Sequence, residues 1–306
     1  FSHQRFALKG SHVTQVERVS DDVYVFTSEL YAQVTAGVID TSEGAVVVDT
    51  LPYPSETIEL KKFVEGRLSS RVRYVVNTHY HADHTYGTCL FPGAKVVAHA
   101  LCRDLLATRG RKGLLAAQSE SSELAGVRLV MPDLVFDSGE LQLHLGEKTL
   151  VLNHSPGHSA DVVTVLIEEE NVIFASDTVM PVPFFADGDL DELVGSLESI
   201  LPLAPRLTNM VQGHGPVILR GEIERCLRAR IKYLKTVRSV VRQALKRKYT
   251  KNVLKKTDLA SVGIDRAELG GLGSDLHWSN LNTLYDKLEG VVQPYPSRRK
   301  SRNRRR

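Results

Sequence analysis

The six residues His79-Tyr80-His81-Ala82-Asp83-His84 carry three imidazoles and a carboxylate. A single histidine in a loop is usually solvated or satisfied by a backbone carbonyl. Clustered imidazoles with a carboxylate at this spacing instead suit zinc and similar borderline metals. Alternate side chains of a loop turn toward one point, so His79 and His81 share a face. Asp83 and His84 then address a neighbouring position. The pattern predicts two metal ions a few ångströms apart.

Such a site needs partners, and the second half of the chain supplies them. His158 follows a β-type run in a Pro-Gly turn ("NHSPGHS"), Asp177 closes "FASD", and His214 stands between two glycines in "VQGHG". Glycines allow a tight backbone approach there. Counting ligands gives His79, His81 and His158 for one metal and Asp83, His84 and His214 for the other. Asp177 bridges, because a carboxylate has two oxygens. Asp49, closing "AVVVDT", is either an acceptor behind a ligand histidine or a turn residue. His154 either donates to substrate or packs at a strand end. Phe184 and Phe185 form either an apolar lip over the metals or part of the core. Cys89, five residues past His84, reads as a small buried hydrophobe.

The elements that must position these residues are legible from hydrophobic pattern. "RVRYVV" (71–76), directly before the histidine cluster, is a β-branched run typical of a buried strand. "DVYVFTS", "AQVTAGVID", "GAVVVDT" and "KVVAH" read as further strands. Apolar spacing predicts a helix over 55–68, capped by Ser55, and a helical piece over 99–108. Residues 109–135 read as an irregular crossing insertion forming one wall of the site. "ELQLHLG", "KTLVLNHSPGH", "DVVTVLIEEE" and "NVIFASD" are four successive β-type segments. "LDELVGSLESILPLA" follows as an amphipathic helix and "NMVQGHG" as a short strand and loop. From Glu222 a long helix begins, with Ile223, Leu227, Ile231, Leu234, Val237 and Val241 forming its apolar stripe. Strands and helices recurring twice in the same order predict two sheets face to face with helices outside.

Composition bounds the rest. The 306 residues are 42% hydrophobic and 25% charged, ordinary for a globular protein. No apolar run is long enough to span a membrane, and no secretory signal is present. The chain opens on Phe1, which suggests a processed or trimmed product. Three cysteines without CxxC spacing argue against a disulfide framework and fit a reducing, cytoplasmic location. The net charge of +3 is misleading, because "SRRKSRNRRR" (297–306) holds seven basic residues and leaves −4 on the rest. The body therefore has no global field for nucleic acid, and only the tail offers one. That tail reads as a disordered basic arm or a solubilising end.

Taken together, "HYHADH", "SPGHS", "FASD" and "QGHG" resemble the signature motifs of the metallo-β-lactamase-fold hydrolases. The resemblance implies an α/β protein built as an αβ/βα four-layer sandwich with the metals at one edge. It divides the chain into a catalytic domain over 1–245, a C-terminal helical extension over 246–290 packed on it, and the basic tail over 291–306. His81 stands where the flavodiiron oxidoreductases of the superfamily have glutamate, which is similar to hydrolases. Asp177, in place of the cysteine of true β-lactamases, resembles the glyoxalase II and lactonase branches.

The function expected is a dinuclear metal-dependent hydrolase with two Zn2+, Fe or Mn being the alternative metals. A metal-bridging hydroxide would attack the carbonyl of a small thioester, ester, lactone or β-lactam-type amide. Asp83 would orient the nucleophile or shuttle a proton, and Asp177 would fix the metal spacing. Two competing readings are a nuclease or phosphodiesterase on the same fold and a mononuclear iron dioxygenase. The sequence is compatible with a homo-oligomer.

Overall fold

The computed structural model describes residues 14–264, 269 and 271–290. The proposed tail over 291–306 lies outside the described residues. The first half forms a seven-stranded sheet in sequence order: β1 (Thr14–Arg18), β2 (Val23–Ser28), β3 (Thr35–Ile39), β4 (Ala45–Val48), β5 (Val72–Val76), β6 (Lys95–His99) and β7 (Leu134–Phe136). The hairpins β1 to β4 are antiparallel, whereas β4, β5, β6 and β7 run parallel. The second half forms β8 (Glu140–Leu145), β9 (Lys148–His154), β10 (Val163–Ile167), β11 (Val172–Ser176), β12 (Asn209–Gln212) and β13 (Ile218–Leu219), in one six-stranded sheet. Its β11 and β12 are parallel.

Strand alternation explains the layers. Val23, Val25, Val46, Val48 and Val76 point one way and meet Leu150, Leu152, Val163, Val165 and Phe174 of the other sheet in a shared core. Their neighbours Phe26, Ala45, Val47 and Val75 point the other way, onto Leu60 and Val64. Those two residues belong to α1 (Pro54–Lys62) and the wider turn that continues it. On the outer face of the second sheet, Val151, Leu166 and Ile173 pack against three helices. These are α5 (Leu190–Ile200), α6 (Ile223–Lys246) and α7 (Gly273–Glu289). Helices on both outsides of two packed sheets give the four-layer α/β sandwich. The short helices between β5 and β7 are α2 (Ala82–Thr85), α3 (Ala100–Leu105) and α4 (Arg111–Glu120).

The structure differs from the sequence pattern in the segment 109–135, which holds the regular helix α4 where an irregular insertion was expected, and at the start of the first helix. The first helix starts at Pro54, which suits a first turn because it lacks an N–H. Its cap is Tyr53, whose N–H donates to the Glu56 carboxylate at 3.4 Å. Ser55 instead donates to the Glu123 side chain at 2.9 Å. The long helix is as expected, and all six residues of its apolar stripe are buried.

Parallel connection determines where the site falls. The loops after β4, β5, β11 and β12 leave the two sheets at the same edge, the usual place for ligands in α/β sheets. Cross-sheet backbone bonds tie this edge together. Val163 N–H donates to Thr78 O at 2.9 Å, and Thr35 N–H to Gly213 O at 2.9 Å. Val34 bridges to His214.

Candidate metal centre

The seven predicted ligand residues converge at this edge. One group joins His79, His81, His158 and Asp177, and a second joins Asp83, His84 and His214. In the first, His81 Nδ1 lies 3.0 Å from His79 Nε2 and 2.9 Å from His158 Nε2. Asp177 Oδ2 lies 3.1 Å from His158 Nε2 and 3.8 Å from His79 Nε2. In the second, Asp83 Oδ2 lies 3.4 Å from His214 Nε2 and 3.8 Å from His84 Nε2. Asp177 reaches this group too, with Oδ1 3.4 Å from His84 Nε2 and Oδ2 3.5 Å from His214 Nε2.

These spacings match a ligand shell. Donor atoms about 2.0–2.1 Å from a tetrahedral ion stand about 3.3 Å from one another. The outer nitrogens of four rings are spoken for by acceptors. His84 Nδ1 faces Asp49 Oδ2 at 2.8 Å, His158 Nδ1 the Phe184 carbonyl at 2.9 Å, and His214 Nδ1 the Ala32 carbonyl at 3.0 Å. His81 Nε2 faces Asp187 Oδ2 at 3.2 Å. With the proton fixed outside, each ring turns a lone pair inward, the arrangement a metal requires. The buried His84 Nε2 and Asp177 Oδ1 have no hydrogen-bond partner among the described residues, and a cation between them would satisfy both.

Electrostatics agree. Burial opposes the Asp177 charge, yet the imidazoles of His214, His158 and His84 hold its carboxyl well below the usual range. Burial also opposes charge on His84, but Asp177, Asp49 and Asp83 outweigh it and raise its pKa well above the ordinary value. Three carboxylates thus surround this ring and favour positive charge beside or upon it. Burial and the rings of His84 and His81 keep His79 well below its ordinary value, and burial pushes His158 down to about 4.

Backbone detail makes the approach possible. Asp49 sits in the left-handed region at φ 58°, which Asp tolerates better than most residues. Its carboxylate accepts from the Thr78 N–H at 2.8 Å and the Thr78 hydroxyl at 2.7 Å as well as facing His84. At Gly213 a Cβ would fall 1.8 Å from Asp177 Oδ1, so only glycine lets β12 deliver His214 beside that carboxylate.

The other candidates divide. Asp49 takes the acceptor role behind His84. Phe184 is half-buried, with its ring centroid 5.7 Å from that of His158. Phe185 is no lip: it is 2% exposed and belongs to the core under α5 and α6. His154 stacks on His99 at 3.9 Å, and its Nε2 bonds the Ala160 carbonyl at 2.8 Å, a strand-end packing role. Cys89 is half-buried, with its Sγ 3.5 Å from the Tyr86 carbonyl.

The sequence reading missed Asp187. Beyond His81, its carboxylate accepts from the Tyr80 hydroxyl at 2.6 Å and from Arg109 Nη1 at 2.6 Å. Its signal was present, since it follows Phe184 and Phe185 in the same loop. The reading also passed over Tyr31. Burial and the nearby Asp83 raise its phenol pKa, although the residue as a whole is 42% exposed.

A sequence model of the metallo-beta-lactamase superfamily matches residues 31–234, and the chain belongs to that superfamily. A Caenorhabditis elegans protein described as a beta-lactamase-like protein 2 homolog is 26% identical over 68% of this chain and 66% of its own length. The human acyl-coenzyme A thioesterase MBLAC2 is 25% identical over 58% of this chain and 68% of its own. An Aspergillus fumigatus atrochrysone carboxyl ACP thioesterase is 29% identical over 67% of this chain and 60% of its own. The chain thus spans about half to two thirds of the length of several curated relatives it matches. Among solved structures, a Pseudomonas sec-alkylsulfatase shares the fold at TM-score 0.71 and 15% identity, covering 92% of this chain and 52% of its own. A metallo-beta-lactamase from Pontibacter korlensis does so at TM-score 0.59 and 24% identity, covering 72% of this chain and 99% of its own. Among the described residues, no helix is long and apolar enough to cross a membrane.

Proposed function

We propose that this chain is a dinuclear metal-dependent hydrolase of thioesters, with zinc as the metal. The observation that carries this reading is the pair of ligand groups sharing Asp177. The thioesterase names of several relatives favour a thioester over other acyl substrates. Two divalent cations bound there would supply a water acidified to near neutrality and a Lewis acid for the carbonyl oxygen.

The chain's own residues do the rest. His79, His81 and His158 would hold one ion and Asp83, His84 and His214 the other, with Asp177 within reach of both groups. Exposure supports a substrate approaching from the side of His81 and Asp83. The side chains of His81 and Asp83 are 23% and 17% exposed, whereas the other five are 0–6%. Asp83 is therefore the solvent-reachable carboxylate of the second group, able to take a water proton on the oxygen that faces away from the histidines and pass it to the departing sulfur as the C–S bond breaks. A thiol has a pKa of about 8.5, so the departing sulfur needs little acid assistance. A modest proton shuttle suits a thioester better than an amide, whose amine leaves far less readily.

The test is the release of free thiol from acyl-thioesters by the zinc-loaded protein, beside cleavage of a generic phosphodiester. Thioester turnover is expected to exceed phosphodiester cleavage. Asp83→Asn is expected to lower kcat by about 10²–10⁴-fold. Faster phosphodiester cleavage would contradict the reading and favour a nuclease.

A further inference from the structure

We propose that Asn280, on the C-terminal helix α7, is a positioning residue for the metal group of His79, His81 and His158. This inference rests on the metal-site reading above. Asn280 lies beyond the residues 31–234 that match the superfamily. It is fully buried, and a buried amide is costly unless its hydrogen bonds are made. Here they are made to one short loop. Asn280 Oδ1 accepts from the Phe185 N–H at 3.1 Å, and Nδ2 donates to the Pro183 carbonyl at 2.7 Å. The two contacts straddle Phe184, whose own carbonyl accepts from His158 Nδ1. Two residues past Phe185, Asp187 faces His81 Nε2. One side chain thus fixes the backbone that sets the orientation of two ligand rings.

A buried chain of hydrogen bonds holds Asn280 itself. Its Nδ2 also donates to the Tyr233 hydroxyl at 3.1 Å. That hydroxyl stands 2.9 Å from His277 Nδ1, and His277 Nε2 stands 3.1 Å from the Thr257 carbonyl. A neutral His277 protonated at Nε2 satisfies every group in the line. Burial, which lowers the His277 pKa, favours that neutral form. The loop is pinned further along as well. Asp189 N–H donates to the Gly157 carbonyl at 2.9 Å, and the Asp189 carboxylate pairs with Lys287 of α7. A Cβ on Gly188 would fall 2.2 Å from the Gly157 carbonyl oxygen, so the loop lies directly on the turn that carries His158.

Mere core packing would make Asn280 equivalent to any buried residue of α7. Leu284, 5% exposed in the same helix face, is the comparison. The experiment is dialysis against zinc buffered with a graded chelator, counting zinc per chain for wild type, Asn280→Ala and Leu284→Ala. Asn280→Leu, which keeps the branched shape but removes both hydrogen-bonding groups, replaces the alanine variant if that does not fold. The expected result is that the Asn280 variant releases one ion at a free zinc concentration at least tenfold higher than wild type does. The second ion and both ions of Leu284→Ala stay at wild-type affinity. On a His214→Ala background the Asn280 effect on the remaining ion should persist, and on a His79→Ala background it should vanish. Wild-type affinity at both sites of the Asn280 variant, or an equal loss in Leu284→Ala, would overturn the inference alone. Absence of zinc from wild type would overturn the metal-site reading and this inference with it.

Discussion

Four of the five clustered histidines are oriented by an acceptor that stands behind them. An imidazole has two nitrogens, and which one offers a lone pair depends on the bond made by the other. Asp49, Asp187 and the carbonyls of Phe184 and Ala32 each take an outer nitrogen. Asp49 is the most heavily engaged of these, holding Thr78 twice and His84 once. Asp49→Asn retains the size of the side chain but replaces one acceptor oxygen with a donor. It is expected to weaken metal binding about 10–100-fold, read by chelator competition. Wild-type affinity in that variant would show that the aspartate merely closes a turn. That these seven residues cluster was legible in the sequence because their types and short spacing are unusual. The partners behind them were less so, since two are backbone carbonyls, which no residue type announces.

At the scale of elements, the site hangs on loops held by neighbouring helices. The turn between β2 and β3 places Ala32 and Gln33 in the left-handed region at φ 45° and 51° to bring the Ala32 carbonyl to His214. Beside this turn lies Glu56 of α1, fully buried, with Oε1 lacking a hydrogen-bond partner among the described residues. Burial raises its carboxyl from 4.5 to about 7, against the pull of Ser28 and the Tyr53 N–H. A carboxyl raised on folding contributes stability that is complete below its ordinary pKa and lost as pH rises through about 7. The thermal midpoint of the wild type relative to Glu56→Gln should therefore fall between about pH 5 and about pH 8, measured with chelator present. Parallel profiles would show that Glu56 does not titrate in this range. Helix and strand periods made most elements legible, including the long stripe of α6. The start of α1 was misplaced because Ser55 found a partner in Glu123, 68 residues away, which local pattern does not show.

At the scale of the molecule, two sheets pack face to face so that strand ends from both halves of the chain meet at one edge. Neither half holds a complete group of ligands: His158, Asp177 and His214 follow strands of the second sheet, and the rest follow β5. Metal binding at this cluster would therefore be coupled to folding. The motifs and β-rich order made this architecture readable before any coordinates. The contribution of the C-terminal helix was not readable, because Asn280 acts across 95 residues on Phe185 through buried hydrogen bonds. The most direct test of the account is metal content by elemental analysis, for wild type and for His79→Ala, purified without added metal. About two zinc per chain are expected in the wild type, with a clear fall in the variant. No metal in the wild type even after reconstitution, or an unchanged count in His79→Ala, would contradict it.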